Sequence, residues 1–173
     1  MVSAPRATTP PSTDEVDRIV AAWHRERPDL AVEPLAVFSR VSRLARHLDR
    51  ARRGAFARHS LEPWEFDVLS ALRRAGEPYS LSPGALVTAT LVTSGTMTNR
   101  IDRLEARGLV ERHRSPGDRR GVLVQLTAEG RERVDAAMTD LLEVEGRVLD
   151  ALAPAERPQL ADLLRTVAAQ FDE

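Results

Sequence analysis

The sequence predicts a mainly α-helical fold that carries one small β-hairpin, and three observations predict it. Apolar residues recur at helical spacing through most of the chain. The run from Ser94 to Gly108 reads as one helix closed by a glycine. The run from Leu109 to Leu126 reads as two short strands around a Pro-Gly turn. A helix followed by a basic hairpin is the order of a winged helix-turn-helix core, here with further helices before and after it.

Residues 1–12 are rich in Pro, Thr and Ser and lack the apolar centre of a signal peptide, so they are expected to form a disordered lead-in to a cytoplasmic protein. Ser12 or Thr13 is placed to cap a first helix from Asp14 to Glu26, in which Val16, Ile19, Val20 and Trp23 share a face. A longer helix, Pro34 to His59, is expected to turn Leu35, Phe38, Val41, Leu44, Ala45 and Leu48 inward. Pro63 suits the first turn of a third helix that Gly76 closes. The segment EPYSLSPG then reads as a loop ending at Ser82, the N-cap of a short helix to Ala89.

The helix from Ser94 is the expected recognition helix, positioned in a DNA groove by the short helix before it. At ~100° per residue, Met97, Ile101 and Leu104 form its buried stripe, and Thr96, Asn99 and Arg103 are assigned to the opposite face. Arg pairs bidentately with guanine, Asn pairs with adenine, and Thr offers a hydroxyl and a methyl, so these are side chains that read base edges. Ser94 and Thr98 complete the DNA-facing set. In the hairpin, Val122, Val124 and Leu126 alternate with Leu123 and Gln125, and the SPGDRR turn carries Arg119 and Arg120 toward a minor groove, where negative potential concentrates. Thr127 caps a long helix with Gly130 early in it, Pro154 breaks that helix, and a last helix holds Leu160, Leu163, Leu164, Val167 and Phe171. These terminal helices are more apolar than one winged helix requires, which predicts a homodimer with its two recognition helices about one turn of DNA apart.

Composition narrows the function classes. At 173 residues the chain is sized for one domain, expected over residues 13–173. That domain divides into dimerisation and ligand helices (14–60), the winged helix-turn-helix (61–127) and C-terminal dimerisation helices (128–173). There is no cysteine, which excludes disulfides, thiolate metal sites and cysteine-based sensing. The net charge of −1 hides a local excess: Arg100, Arg103, Arg107, Arg112, Arg114, Arg119 and Arg120 face only Asp102, Glu105, Glu111 and Asp118 between Ser94 and Arg120. Every basic residue is an arginine, which fits codon bias and carries no mechanism. His24, His47, His59 and His113 are scattered without zinc spacing, and no P-loop, Gly-x-Gly-x-x-Gly or nucleophile elbow is present, so neither an enzyme nor a cofactor or metal is expected. No apolar run has the ~20 residues that a bilayer requires.

The wing pattern Asp118, Arg120, Val124, Leu126, Thr127 and Gly130, preceded by SGTMTNRIDRLEARGLVER, resembles the MarR family of winged-helix transcription factors from about residue 30 onward. That resemblance implies double-stranded DNA as partner and a dimer with interleaved N- and C-terminal helices. Four residues outside the DNA-facing set, Arg100, Asp67, Arg74 and Trp23, bear on regulation. Arg100 lies ~60° from the centre of the buried stripe, on a flank turned back toward the protein, where a charge requires a partner or a ligand. Asp67 and Arg74 share a face of the third helix but are separated by ~10.5 Å of rise, too far for a direct pair. The residues alone leave structural roles open: a brace for Arg100, a pairing of Asp67 with the second helix, exposure for Arg74, and dimer packing for Trp23. The extra N-terminal helix with its Trp, together with WEFDVLSALRRAGEPYSLSP, resembles the urate-responsive, PecS/HucR-type branch of the family. In that branch the residues matching Trp23, Asp67, Arg74 and Arg100 bind the purine, which implies a small aromatic anion, urate or a related purine, as effector. A ligand-independent DNA-binding or protein-interaction module, and a regulator answering to a phenolic acid, are the alternatives.

Overall fold

The computed structural model describes residues 13–114 and 121–171; the expected lead-in and the turn carrying Asp118, Arg119 and Arg120 lie outside the described residues. The elements run α1 (Glu15–Glu26), α2 (Glu33–Ala57), α3 (Pro63–Arg74), β1 (Ser80–Leu81), α4 (Pro83–Thr90), α5 (Ser94–Ala106), β2 (Val110–Arg114), β3 (Val122–Leu126), α6 (Ala128–Leu149) and α7 (Glu156–Ala168). A final 3-10 turn spans Ala169–Phe171. The chain divides into two compact units, residues 1–49 and 50–173, and the division falls inside α2.

In the first unit α1 is capped by Asp14 rather than by Ser12 or Thr13. Its carboxylate accepts from the amides of Val16 and Asp17, and Asp17 returns a bond to the Asp14 amide. A carboxylate holds these free amides and also complements the positive end of the helix, which a hydroxyl does less well. Arg40 of α2 ties the two helices by donating to both Asp14 and Asp17, at 2.9 and 2.6 Å. Val16 and Val32 are buried, whereas Phe38, Val41 and Leu44, expected to face inward, are exposed along with Val37. Their helical spacing is as read, but none of the described residues covers that face.

The second unit holds the main core. Phe56 and Phe66 stack with ring centroids 4.2 Å apart, and Leu69, Leu72, Leu86, Met97, Ile101 and Leu104 are fully buried around them. Met97, Ile101 and Leu104 are the stripe of α5 read from the sequence, and they pack against buried residues of α3 and α4. Ser82 caps α4 and Thr93 caps α5, each side-chain oxygen accepting from an amide three residues on. Gly108, at φ +69, turns the chain out of α5 into β2.

The sheet has three strands, not the two of the expected hairpin: the order is β1-β3-β2 and both pairings are antiparallel. The EPYSLSPG segment supplies β1, with Ser80 opposite Gln125 and Leu81 opposite Val124. A two-residue strand is too short to show alternation, and its pairing partner lies more than forty residues away. Left-handed turns at Gly76 (φ +77) and Tyr79 (φ +59) bring it alongside β3.

The Val-x-Leu-Thr-x-x-Gly pattern has a packing explanation. Val124 and Leu126 are buried, and the Thr127 hydroxyl donates to the Gly108 carbonyl (2.7 Å) while accepting from the Gly130 amide (3.0 Å). At Gly130 the first turn of α6 lies directly on the backbone of Leu109. A Cβ there would collide with the Leu109 carbonyl, its carbon only 3.0 Å away. Farther along, α6 and α7 carry Leu142, Leu163, Leu164 and Val167 to the surface, and Leu163 is 67% exposed. No helix among the described residues is long and apolar enough to cross a membrane.

Candidate nucleic-acid interface and effector recess

The exposed side of α5 begins with Ser94, just after the Thr93 cap. Thr96 is exposed, its hydroxyl 2.9 Å from that of Thr93, and the Thr98 hydroxyl donates to the Ser94 carbonyl. Asn99 and Arg103 follow on the same exposed surface. Arg103 is nevertheless not extended from the helix. Its guanidinium lies over the indole of Trp64 on α3, 4.7 Å from the ring centroid, and Arg100 lies over the same ring at 5.5 Å. Trp64 donates its Nε1–H to Glu62 (3.0 Å), whose other oxygen is 3.9 Å from Arg103. Trp64, Gly95, Thr96, Asn99, Arg100 and Arg103 line a recess of about 500 Å³.

One turn beyond Arg103, Arg107 closes the contact between α5 and α3. It pairs with Glu65, one of two buried polar side chains among the described residues, and donates to the Ser60 carbonyl at 2.6 Å. Measured from Met97, the three arginines at 100, 103 and 107 fall between ~60° and ~120° to one side, so they form one flank of α5. The assignment of Arg103 to the face opposite the stripe overstates its distance from α3; a long side chain on this flank reaches back to Trp64. On the other side, Arg112 of β2 pairs with both Asp102 and Glu105 of α5. Part of the local arginine excess therefore holds the helix in place.

Asp67 sits one turn along α3 from Trp64. Partial burial pushes its carboxyl up from the ordinary carboxylate value, and the nearby charges of Arg100, Arg52 and Arg74 only partly offset this. Asp67, Arg74 and Arg100 are thus within electrostatic reach of one another. Arg74 is exposed, and its Nε donates to the Ser70 carbonyl at 3.3 Å. Trp23 belongs to the first unit, where it is 47% exposed and lines an apolar recess of about 380 Å³ with Leu30, Val32 and Leu35. No cluster of His, Asp or Glu among the described residues is arranged to hold a metal ion.

Residues 59–121 match the MarR family. The chain is 40% identical over 153 residues to the HTH-type transcriptional regulator PecS of Dickeya dadantii, a match spanning 88% of this chain and 92% of the relative. This chain belongs to the MarR family. A second relative, the HTH-type transcriptional repressor NicR of Pseudomonas putida, is 32% identical over 76% of this chain and 84% of its own. Among solved structures, a mutant of Escherichia coli MarR complexed with operator DNA is 27% identical with a TM-score of 0.66, covering 80% of this chain and 97% of that one. Bordetella bronchiseptica BpsR, solved to explain regulation of its DNA binding by 6-hydroxynicotinic acid, is 32% identical with a TM-score of 0.58, covering 74% and 92%.

Within this MarR fold, sequence reasoning missed Glu62, Trp64 and Glu65; it allowed Asp67 an arginine of the second helix without naming it, and the charge of Arg52 on α2 acts on that carboxyl. Trp64 and Glu65 sit in the WEFDVL stretch that carried the resemblance, yet nothing in the spacing of α3 marks them as partners of α5. Arg107 was counted only as local charge. An arginine stripe on a helix flank facing a Trp and two glutamates was the available signal, but it needs the α3–α5 packing to be visible.

Proposed function

We propose that the chain is a homodimeric, cytoplasmic repressor that binds a pseudo-palindromic operator upstream of its own and a neighbouring gene. A small aromatic anion, urate or a related purine, releases it. Ser94, Thr96, Thr98, Asn99 and Arg103 contact DNA from α5, with Thr96, Asn99 and Arg103 reading bases, and Arg119 or Arg120 enters the minor groove. Family membership and the exposure of these side chains on α5 support that half of the reading.

The observation that carries the effector half is the grouping of Asp67 with three arginines, Arg100, Arg52 and Arg74, whose charges act on its carboxyl. A planar anion at Arg100 and Arg74 gains charge-assisted hydrogen bonds. Its negative charge opposes ionised Asp67, and relief of that repulsion shifts α5, to which Arg100 belongs. Trp23 supplies a flat face for stacking in the resemblance-based assignment. That BpsR is regulated by 6-hydroxynicotinic acid, another planar heteroaromatic acid, supports the ligand class. A ~100-fold loss of operator affinity requires the two states to differ by about 2.7 kcal/mol in their affinity for the effector.

The test is fluorescence anisotropy on labelled DNA from upstream of the gene, at physiological salt, titrated with urate and with xanthine and salicylate as controls. Release by urate at concentrations where the controls do little is expected. Arg100→Ala should abolish that response while operator binding persists, and Trp23→Ala should weaken it independently. Specific binding that ignores urate but answers salicylate assigns a phenolic effector. Binding that answers neither removes both the purine and the phenolic assignments.

A further inference from the structure

We infer that Trp64, with Glu62, is a positioning residue for operator recognition: the indole holds Arg103 in the conformation from which it reads a base. This rests on the assignment of Arg103 as a base-reading side chain. An arginine projecting from a helix into a groove pays rotamer entropy to become ordered, and a planar fork fixed in advance loses less on binding. The Trp64 ring is fitted to do this. It sits in the first turn of α3 beside buried Glu65 and packs against the core, with Nε1–H bonded to Glu62. Its face is therefore fixed in orientation, and Arg103 lies over that face at 4.7 Å with Glu62 at its edge. Thr96 and Asn99, the other proposed base readers, line the same recess together with Gly95 and Arg100, and Arg100 lies over the same ring at 5.5 Å, so the indole holds Arg103 beside its neighbours in the reading set.

The experiment compares Trp64→Leu, Trp64→Phe, Arg103→Ala and the Trp64→Leu/Arg103→Ala double variant in the full chain. Each is measured against the operator and a panel of single-base-pair substitutions at several salt concentrations. Arg103→Ala should erase discrimination at one base pair per half-site. Trp64→Leu should reduce discrimination at that same pair by about fivefold, the scale of one exposed cation–π contact, and leave the salt slope unchanged. The double variant should lose no more than Arg103→Ala alone. Trp64→Phe keeps an aromatic face and should retain most of the discrimination; it also carries the test if Trp64→Leu fails to fold. A Trp64→Leu protein with full discrimination at the pair that Arg103→Ala erases overturns the positioning role and leaves base reading intact. If Arg103→Ala instead weakens all sequences evenly and lowers the salt slope, Arg103 is a phosphate contact, and both the base reading and the positioning role fall.

Discussion

Asp67 illustrates how one residue's chemistry separates stability from function. Its folded carboxyl is raised by burial, so the fold disfavours its ionised form. A group raised in this way contributes stability below the ordinary carboxylate range of about 4 and loses it as pH rises through the folded value. At neutral pH the ionised side chain therefore works against the fold. Asp67→Asn should raise the melting temperature at pH 7, with the gain shrinking toward pH 4. An unchanged or lower melting temperature at pH 7 would mean that the arginine charges outweigh burial. Asp140 on α6 has the opposite sign: Arg58 and then His59 donate to it and hold its carboxyl below the ordinary value. Its contribution is present at neutral pH and lost only in acid. Two carboxylates of similar appearance in the sequence thus have opposite effects, and only Asp67 belongs to the proposed effector site.

At the scale of elements, the junction from α5 through the sheet to α6 is fixed by close backbone packing. Thr127 bonds both the glycine that ends α5 and the glycine that opens α6, and Gly130 admits the Leu109 backbone where no Cβ fits. Gly130→Ala is accordingly expected to destabilise the protein by about 3 kcal/mol, at the upper end for overpacking, because the obstructing atoms are backbone and cannot rotate away. Urea unfolding measures this, and a loss under about 0.5 kcal/mol, as at an ordinary surface position, would show that α6 shifts freely. The pieces of this junction were legible in the sequence because their signals are local, a capping threonine, a helix-ending glycine and period-2 alternation over a few residues, whereas the contacts of Thr127 with Gly108 and of Gly130 with Leu109 join remote residues and were not. β1 was not legible, since two residues carry no period and its partner strand is remote.

For the whole molecule, the exposed apolar faces are the main unexplained surface. Phe38, Val41 and Leu44 in one unit, and Leu142, Leu163 and Phe171 in the other, have spacings that suit burial and yet are open in the single chain, with Phe171 82% exposed. Exposed large apolar side chains at helical spacing within each unit point to an association site. With a homodimer as the proposed assembly, Leu163→Arg should yield monomers in analytical ultracentrifugation and weaken operator binding well beyond any effect on a half-site. A dimer unaffected by this change would move the interface away from α7. The sequence by itself determined the helices and the β2–β3 hairpin, the caps at Ser82 and Thr127, which stripe of α5 is buried and which family the wing pattern resembles. It could do so because those properties depend on neighbours within one or two turns. Only the tertiary structure decided that Arg103 rests on Trp64, that Arg107 closes on Glu65, that Asp67 lies within the electrostatic reach of Arg100, and that a third strand joins the wing. Those pairings join residues tens of positions apart, and residue type at one end carries no information about which distant side chain will satisfy it.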